Sequence, residues 1–239
     1  GLRIYNLRQK LSLMKDLGID IVYLLRFNAA LAATSAGDFV EHILHKELCA
    51  RHVITGYNFA FGKGRGGDNA FLAQQTASLG ISYTTYQPVR DEAGNVVSSS
   101  AIRSLLAEGD IEKASAMLGS PYRLCGRIIH GAKRGRELGF PTANIRLGAR
   151  FKPRFGVYAV RLQVDGAWLK GVANIGIKPT FGLNTPLVEV HCFDTDRDLY
   201  GKYATVELTR FIRDERTFES LTALKAQIAE DSARARSIA

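Results

Sequence analysis

The sequence predicts two domains of different class: a doubly wound α/β domain over residues 1–120, then a small antiparallel Greek-key β-barrel with a C-terminal helix over residues 121–239. Three observations predict it. The length of 239 residues exceeds one typical domain. Up to Gly119, apolar runs rich in β-formers alternate with helical patterns, as in parallel α/β folds. Beyond Pro121, short strand-like runs follow one another with glycine turns and no helix between them, as in small barrels.

In the first half, Leu7 to Leu17 reads as an amphipathic helix stopped by Gly18. Ile19 to Phe27 is mostly apolar and is expected to be a buried parallel strand. Ser35 and Asp38 have the spacing of a capping box for a helix reaching about Leu48. Val53 to Tyr57 is a second strand, Gly62 to Gly67 a glycine-rich loop, Asn69 to Leu79 a helix ended by Gly80, and Ile81 to Tyr86 a third strand. Two short helices, about Ser100 to Glu108 and Ile111 to Leu118, are closed by Gly109 and Gly119. In the second half the strands are Tyr122 to His130, Gly156 to Val164, Ala167 to Ile175, Leu187 to Asp194 and Tyr203 to Phe211, with Asp165-Gly166 as one turn. A last helix, about Ser220 to Ser237, has Leu221, Leu224 and Ile228 on one face.

Composition narrows the function classes. A hydrophobic fraction of 46% suffices for packed cores. The absence of a long apolar run and of a signal-like start leads to the expectation of a cytoplasmic protein with no membrane partner. Cys49, Cys125 and Cys192 are scattered, without a C-x-x-C pair, which argues against a disulfide framework or a zinc ribbon. The net charge of +9 favours anionic partners, either nucleic acid or phosphorylated small molecules. Gly1 is followed almost at once by a helical pattern and no initiator Met is present, so the chain reads as a fragment whose beginning is missing.

The stretch richest in chemistry is Gly131 to Asn144, GAKRGRELGFPTAN. Gly131, Gly135 and Gly139 would let backbone N–H groups approach a phosphate, and Lys133, Arg134 and Arg136 supply positive charge for it. Pro141 holds the preceding residue extended. Thr142 and Asn144 then alternate with Ala143, so a hydroxyl and an amide oxygen share one face, as hard donors suited to Mg²⁺ with a nucleotide. The competing reading is a basic surface hairpin followed by a strand. Glu189, in Val188-Glu189-Val190-His191, points away from its valine neighbours and would be either a desolvated base or a surface glutamate. At Ser98-Ser99-Ser100-Ala101-Ile102-Arg103 a helix start carries hydroxyls and a guanidinium, an arrangement suited to phosphate or to a plain serine cap.

Other motifs are weaker. Gly62, Gly64 and Gly67 satisfy G-x-G-x-x-G, but the next strand ends Thr84-Thr85-Tyr86-Gln87 without the acid that a nicotinamide dinucleotide wants. Asp68-Asn69 stands where a P-loop needs Lys-Ser/Thr. His42, His45 and Cys49 are spaced along one helix face without a second ligand cluster.

In order, the pieces GYNFAFGKGRGG, VSSSAIR, LGSPYRLCGRIIHGAKRGRELGFPTANI, GVYAV, GVANIGIKPTFG, LVEVHCFD, DLYG and FIRDERTFESLTALKAQIAED resemble the bifunctional riboflavin kinase/FMN adenylyltransferase family, the bacterial FAD synthetases. The likeness covers nearly the whole chain. It implies a riboflavin kinase barrel from about Pro121, with riboflavin, FMN and ATP as small-molecule substrates and no nucleic-acid partner. Thr142 and Asn144 would hold Mg²⁺ and ATP phosphates. Gly131, Lys133, Gly135, Arg136, Gly139 and Pro141 would frame the nucleotide, and Glu189 would take the proton of the riboflavin 5′-hydroxyl. Arg213 and the last helix would help close the flavin side. In the first, nucleotidyltransferase-like half, Ser99, Ser100 and Arg103 match the family's ATP-phosphate motif, and Asn58 and Arg65 its flavin-side loop. An H-x-G-H motif is absent; His42-Ile43-Leu44-His45 has Leu44 in place of the glycine. The expectation is a chain that phosphorylates riboflavin and does not adenylylate FMN, while the full-length parent does both. The rival class is a nucleic-acid-binding barrel using KRGR and the run from Arg150 to Phe155; a dinucleotide-dependent reductase using GKGRGG is a further alternative.

Overall fold

A computed structural model of the chain describes residues 2–131, 140–148, 150–177, 186–195 and 197–238. The chain divides into two compact units, residues 19–96 and residues 1–18 together with 97–239.

The smaller unit is built on one βαβ module. Strands β1 (His52–Gly56) and β2 (Ser82–Tyr86) pair in parallel in a two-stranded sheet, with a helix over Asn69–Ser78 between them in sequence. Asp68 caps that helix by accepting from Phe71 N at 2.8 Å. The expected Ser35 cap is present: its Oγ accepts from Asp38 N at 3.0 Å, and the short helix Ala36–Asp38 runs into a π-helix over Phe39–Glu47. Ala36, Val40, Phe61 and Leu72 form the core. The expected strand over Ile19 to Phe27 is not formed. That run has no regular structure, and Ile21, Tyr23, Leu24, Leu25 and Phe27 are exposed. Each strand of the β1–β2 pair has an outer edge with no partner strand among the described residues, so an open edge alone does not make an apolar run a strand; its faces must also be covered, and the side chains of this run are not.

The larger unit is a closed antiparallel barrel in the order β3 (Arg123–Ile129), β4 (Ala143–Arg146), β7 (Pro186–Cys192), β6 (Ala167–Ile177), β5 (Gly156–Val164), β8 (Tyr203–Arg213). Alternate side chains fill it: Leu124, Ile145, Tyr158, Val160, Leu162, Ile175, Val188, Val190 and Val206 are fully buried. Strand β5 is buried on both faces because Val157 and Ala159 pack outward with Val172, Phe193, Ile212 and Ala235. The compact unit extends beyond the expected stretch 121–239. Ile102 and Leu106 of the helix Ser99–Glu108, and Ile111 and Ala114 of the helix Ile111–Leu118, join the barrel's core cluster. The helix Leu7–Asp16 also belongs here, its Gln9 donating to the Arg123 carbonyl at 2.7 Å and accepting from Arg150 at 3.0 Å.

In the C-terminal helix Leu221–Ile238, Leu224 and Ile228 are half-buried, and buried residues, mostly polar, continue their face. Leu221 is exposed, while Gln227, Asp231, Ser232 and Ala235 are buried. Asp231 accepts from both Nε and an Nη of Arg213, at 3.0 and 2.6 Å, and Gln227 donates to it at 3.0 Å. The helix is held by an enclosed ion pair rather than by a leucine stripe, so Arg213 anchors the helix.

Candidate active site

The site is set by strand register. In β4 and β7 Asn144 pairs with Glu189, flanked by Ala143 with Val190 and Ile145 with Val188. The next strand over, β6, places Asn174 opposite Glu189. Ala143, Ile145, Val188 and Val190 belong to the barrel core, so alternation turns Asn144, Glu189 and Asn174 to the other face as one cross-strand row. The row's first member is the most enclosed. Asn144 is 1% exposed, and its Oδ1 is buried with no hydrogen-bond partner among the described residues. Its Nδ2 turns toward the Thr142 carbonyl at 3.4 Å. Gly131 makes this possible: a Cβ there would lie 2.4 Å from Asn144 Nδ2.

Thr142 is half-buried and lines a cavity of about 350 Å³ together with His130, Cys192, Asp198 and Tyr200. His130 and Tyr200 stack at 3.9 Å between ring centroids. Pro141 is tied across to β7, its carbonyl accepting from His191 Nδ1 at 3.0 Å, and Phe140 packs edge-on to the same imidazole. Burial pushes the Cys192 thiol up to about 12, so it lines the cavity as a neutral thiol.

The donors suit a hard cation. An unpartnered buried amide oxygen is costly unless something ligates it, and Asn144 Oδ1 with the Thr142 hydroxyl is an oxygen-only pair of the kind Mg²⁺ takes alongside phosphate oxygens. No cluster of three His, Cys, Asp or Glu residues offers a rival metal site among the described residues.

The remaining predicted residues separate into groups. Lys133, Gly135, Arg136 and Gly139 lie outside the described residues. Ser99, Ser100 and Arg103 occupy the first turn of the helix Ser99–Glu108, where Ser98 is the cap, accepting from Ala101 N at 3.2 Å. Arg103 donates to Ser100 Oγ at 3.2 Å, so guanidinium and hydroxyl meet at the open helix end. Asn58 and Arg65 are exposed and sit in the smaller unit, Asn58 in the turn after β1 and Arg65 in a left-handed conformation, φ 59°.

The look-alike motifs have structural explanations. A Cβ at Gly62 would strike the Ala36 backbone at 2.6 Å, and one at Gly67 would strike Ala36 Cβ and the Phe61 ring at 2.7 Å. These glycines close a loop around Phe61, which bridges to Gly67. The two arginines of the run from Arg150 to Phe155 are occupied within the chain. Arg150 is buried and donates to Leu147 O, Gln9 Oε1 and Cys125 O; Arg154 makes a two-pronged pair with Asp214 at 2.7 and 2.6 Å. The pattern that suggested strand binding therefore serves packing. His42 reaches toward Asp38 at 3.8 Å on an exposed face.

Asn174 of the row and the neighbouring Glu215 escape a reading by motif. Asn174 Nδ2 donates to Glu215 Oε1 at 3.0 Å, and Glu215 lies over Gly176, where a Cβ would be 2.1 Å from the carboxylate. The available signal was a lone amide inside the apolar run Val172-Ala173-Asn174-Ile175.

A riboflavin kinase family model matches residues 118–239, and an FAD synthetase family model matches residues 1–101. A bifunctional riboflavin kinase/FMN adenylyltransferase of Escherichia coli strain K12 is 40% identical over 235 residues, covering 98% of this chain and 75% of the relative. One from Pseudomonas fluorescens is 42% identical over 223 residues, covering 93% and 71%. Among solved structures, a protein from Streptococcus pneumoniae described as a macrolide-efflux protein shares the fold over 100% of this chain and 77% of its own, with a TM-score of 0.87 and 30% identity.

Proposed function

The chain belongs to the bifunctional riboflavin kinase/FMN adenylyltransferase family of FAD biosynthesis, and from that premise we propose that its barrel, from about residue 121, transfers the terminal phosphoryl group of ATP to the 5′-hydroxyl of riboflavin. The observation that carries the reading is the cross-strand pairing of Asn144 with Glu189 beside an unsatisfied amide oxygen. Asn144 and Thr142 would hold Mg²⁺, which when bound offsets the charge of the ATP phosphates. Gly131 keeps the Asn144 amide in place. Lys133, Gly135, Arg136 and Gly139 would cover the nucleotide. Glu189 accepts the hydroxyl proton as the oxygen bonds to phosphorus and the bond to the departing ADP oxygen breaks. Phosphoryl transfer asks mainly for alignment and charge compensation, and neighbouring strands about 4.8 Å apart supply that alignment.

For the adenylyl transfer from ATP to FMN, Ser99, Ser100 and Arg103 would bind ATP phosphate at the helix end, with Asn58 and Arg65 on the flavin side. His42 and His45 stand on the exposed π-helix Phe39–Glu47 and offer no glycine-lined phosphate approach. With ATP, Mg²⁺ and riboflavin, the chain is expected to form FMN, read by chromatography. Glu189→Gln should lower FMN formation by about 10²–10⁴-fold. A Glu189→Gln variant with wild-type turnover would remove the base assignment.

A further inference from the structure

The row has a direction. Asn144, on the phosphate side, is followed by Glu189 and then by Asn174, each one strand further around the barrel. If the reacting alcohol lies at Glu189 with phosphate toward Asn144, the rest of the acceptor must leave toward β6. There it meets a prepared pair. Asn174 is half-buried and already bound to Glu215, whose carboxylate occupies the notch left by the missing side chain of Gly176. The pair presents a carboxylate and the second amide hydrogen and carbonyl of Asn174. One strand spacing, about 4.8 Å, is the reach of a few carbons of an extended polyol.

Resting on the kinase reading above, we infer that Asn174 and Glu215 are specificity-determining residues that read the secondary hydroxyls of the ribityl chain, just behind the reacting one. Donor and acceptor stand side by side, which suits hydroxyls, since each gives and takes a hydrogen bond. Their anchoring by Gly176 keeps them aligned without substrate. A site built to bond hydroxyls discriminates against the analogue that lacks them, because its own polar groups are then left unpaired.

The test compares riboflavin with a flavin carrying a plain 5-hydroxypentyl chain, for the wild type and for the Asn174→Ala and Glu215→Ala variants. The reading is the ratio of kcat/KM for the two substrates. The wild type should prefer riboflavin, and each variant should reduce that preference about tenfold, the size of one or two hydrogen bonds. Equal losses on both substrates would mark a structural role and overturn the assignment, as would an unchanged ratio. Glu215 is exposed, so its variant reports even if Asn174→Ala does not fold. A wild-type chain that turns over neither substrate overturns the kinase reading itself, and this inference with it. Normal turnover of both without preference overturns this inference alone.

Discussion

Two apolar runs of similar composition meet opposite fates in this molecule. Residues 156–164 become β5, buried on both faces between the barrel interior and the C-terminal helix. Residues 19–27 remain irregular and exposed in the smaller unit. The difference lies in covered faces. The barrel closes and the C-terminal helix covers the outer face of β5, whereas the run 19–27 stays uncovered although both strands of the smaller sheet have an outer edge with no partner strand among the described residues. β-propensity describes fitness for a pleated, half-buried surface and does not create that surface.

The contrast can be pressed at several points. The largest effect is expected at the ion pair under the C-terminal helix. Asp231→Ala leaves Arg213 enclosed without its carboxylate and should destabilise the barrel unit by about 3–5 kcal/mol, measured by denaturant unfolding; a loss below 1 kcal/mol would show that the helix is held by Ala235 and its neighbours instead. Next, Leu162→Ala inside the barrel should cost about 2–5 kcal/mol, while Phe27→Ser in the exposed run should stay within about 0.5 kcal/mol. Comparable losses at both positions would mean that residues 19–27 are packed in solution. The smallest perturbation is chemical. Cys49 is exposed, whereas burial raises Cys125 and drives Cys192 to about 12. Both barrel thiols therefore stay protonated at pH 8, and brief alkylation followed by mass spectrometry should mark Cys49 first. Modification of Cys192 at a similar rate would indicate an open barrel.

The candidate site was legible in parts. Alternation along Pro141-Thr142-Ala143-Asn144 put two oxygen donors on one face, and the valines around Glu189 turned it away from the core; both are local consequences of an extended backbone. Their meeting was not legible, because register between distant strands depends on barrel closure and not on either segment alone. Gly131 was read as room for phosphate, and the fold adds a nearer reason, the Asn144 amide against its Cα. On the last helix the apolar residues Leu224 and Ile228 marked the half-buried face, but not its polar continuation, where Asp231 is buried against Arg213 of β8.

By itself, the amino-acid order determined the type of most elements, the change from an alternating to an all-strand pattern near residue 121, and the donor groups that phosphate chemistry needs. These follow from periodicity and side-chain type, which are properties of neighbours along the chain. Tertiary structure alone decided which apolar run found a sheet, which helices joined the barrel unit, and that Asn144, Glu189 and Asn174 lie in one row. Those outcomes depend on which edges and faces remain to be covered once the chain has closed on itself, and no local stretch carries that information.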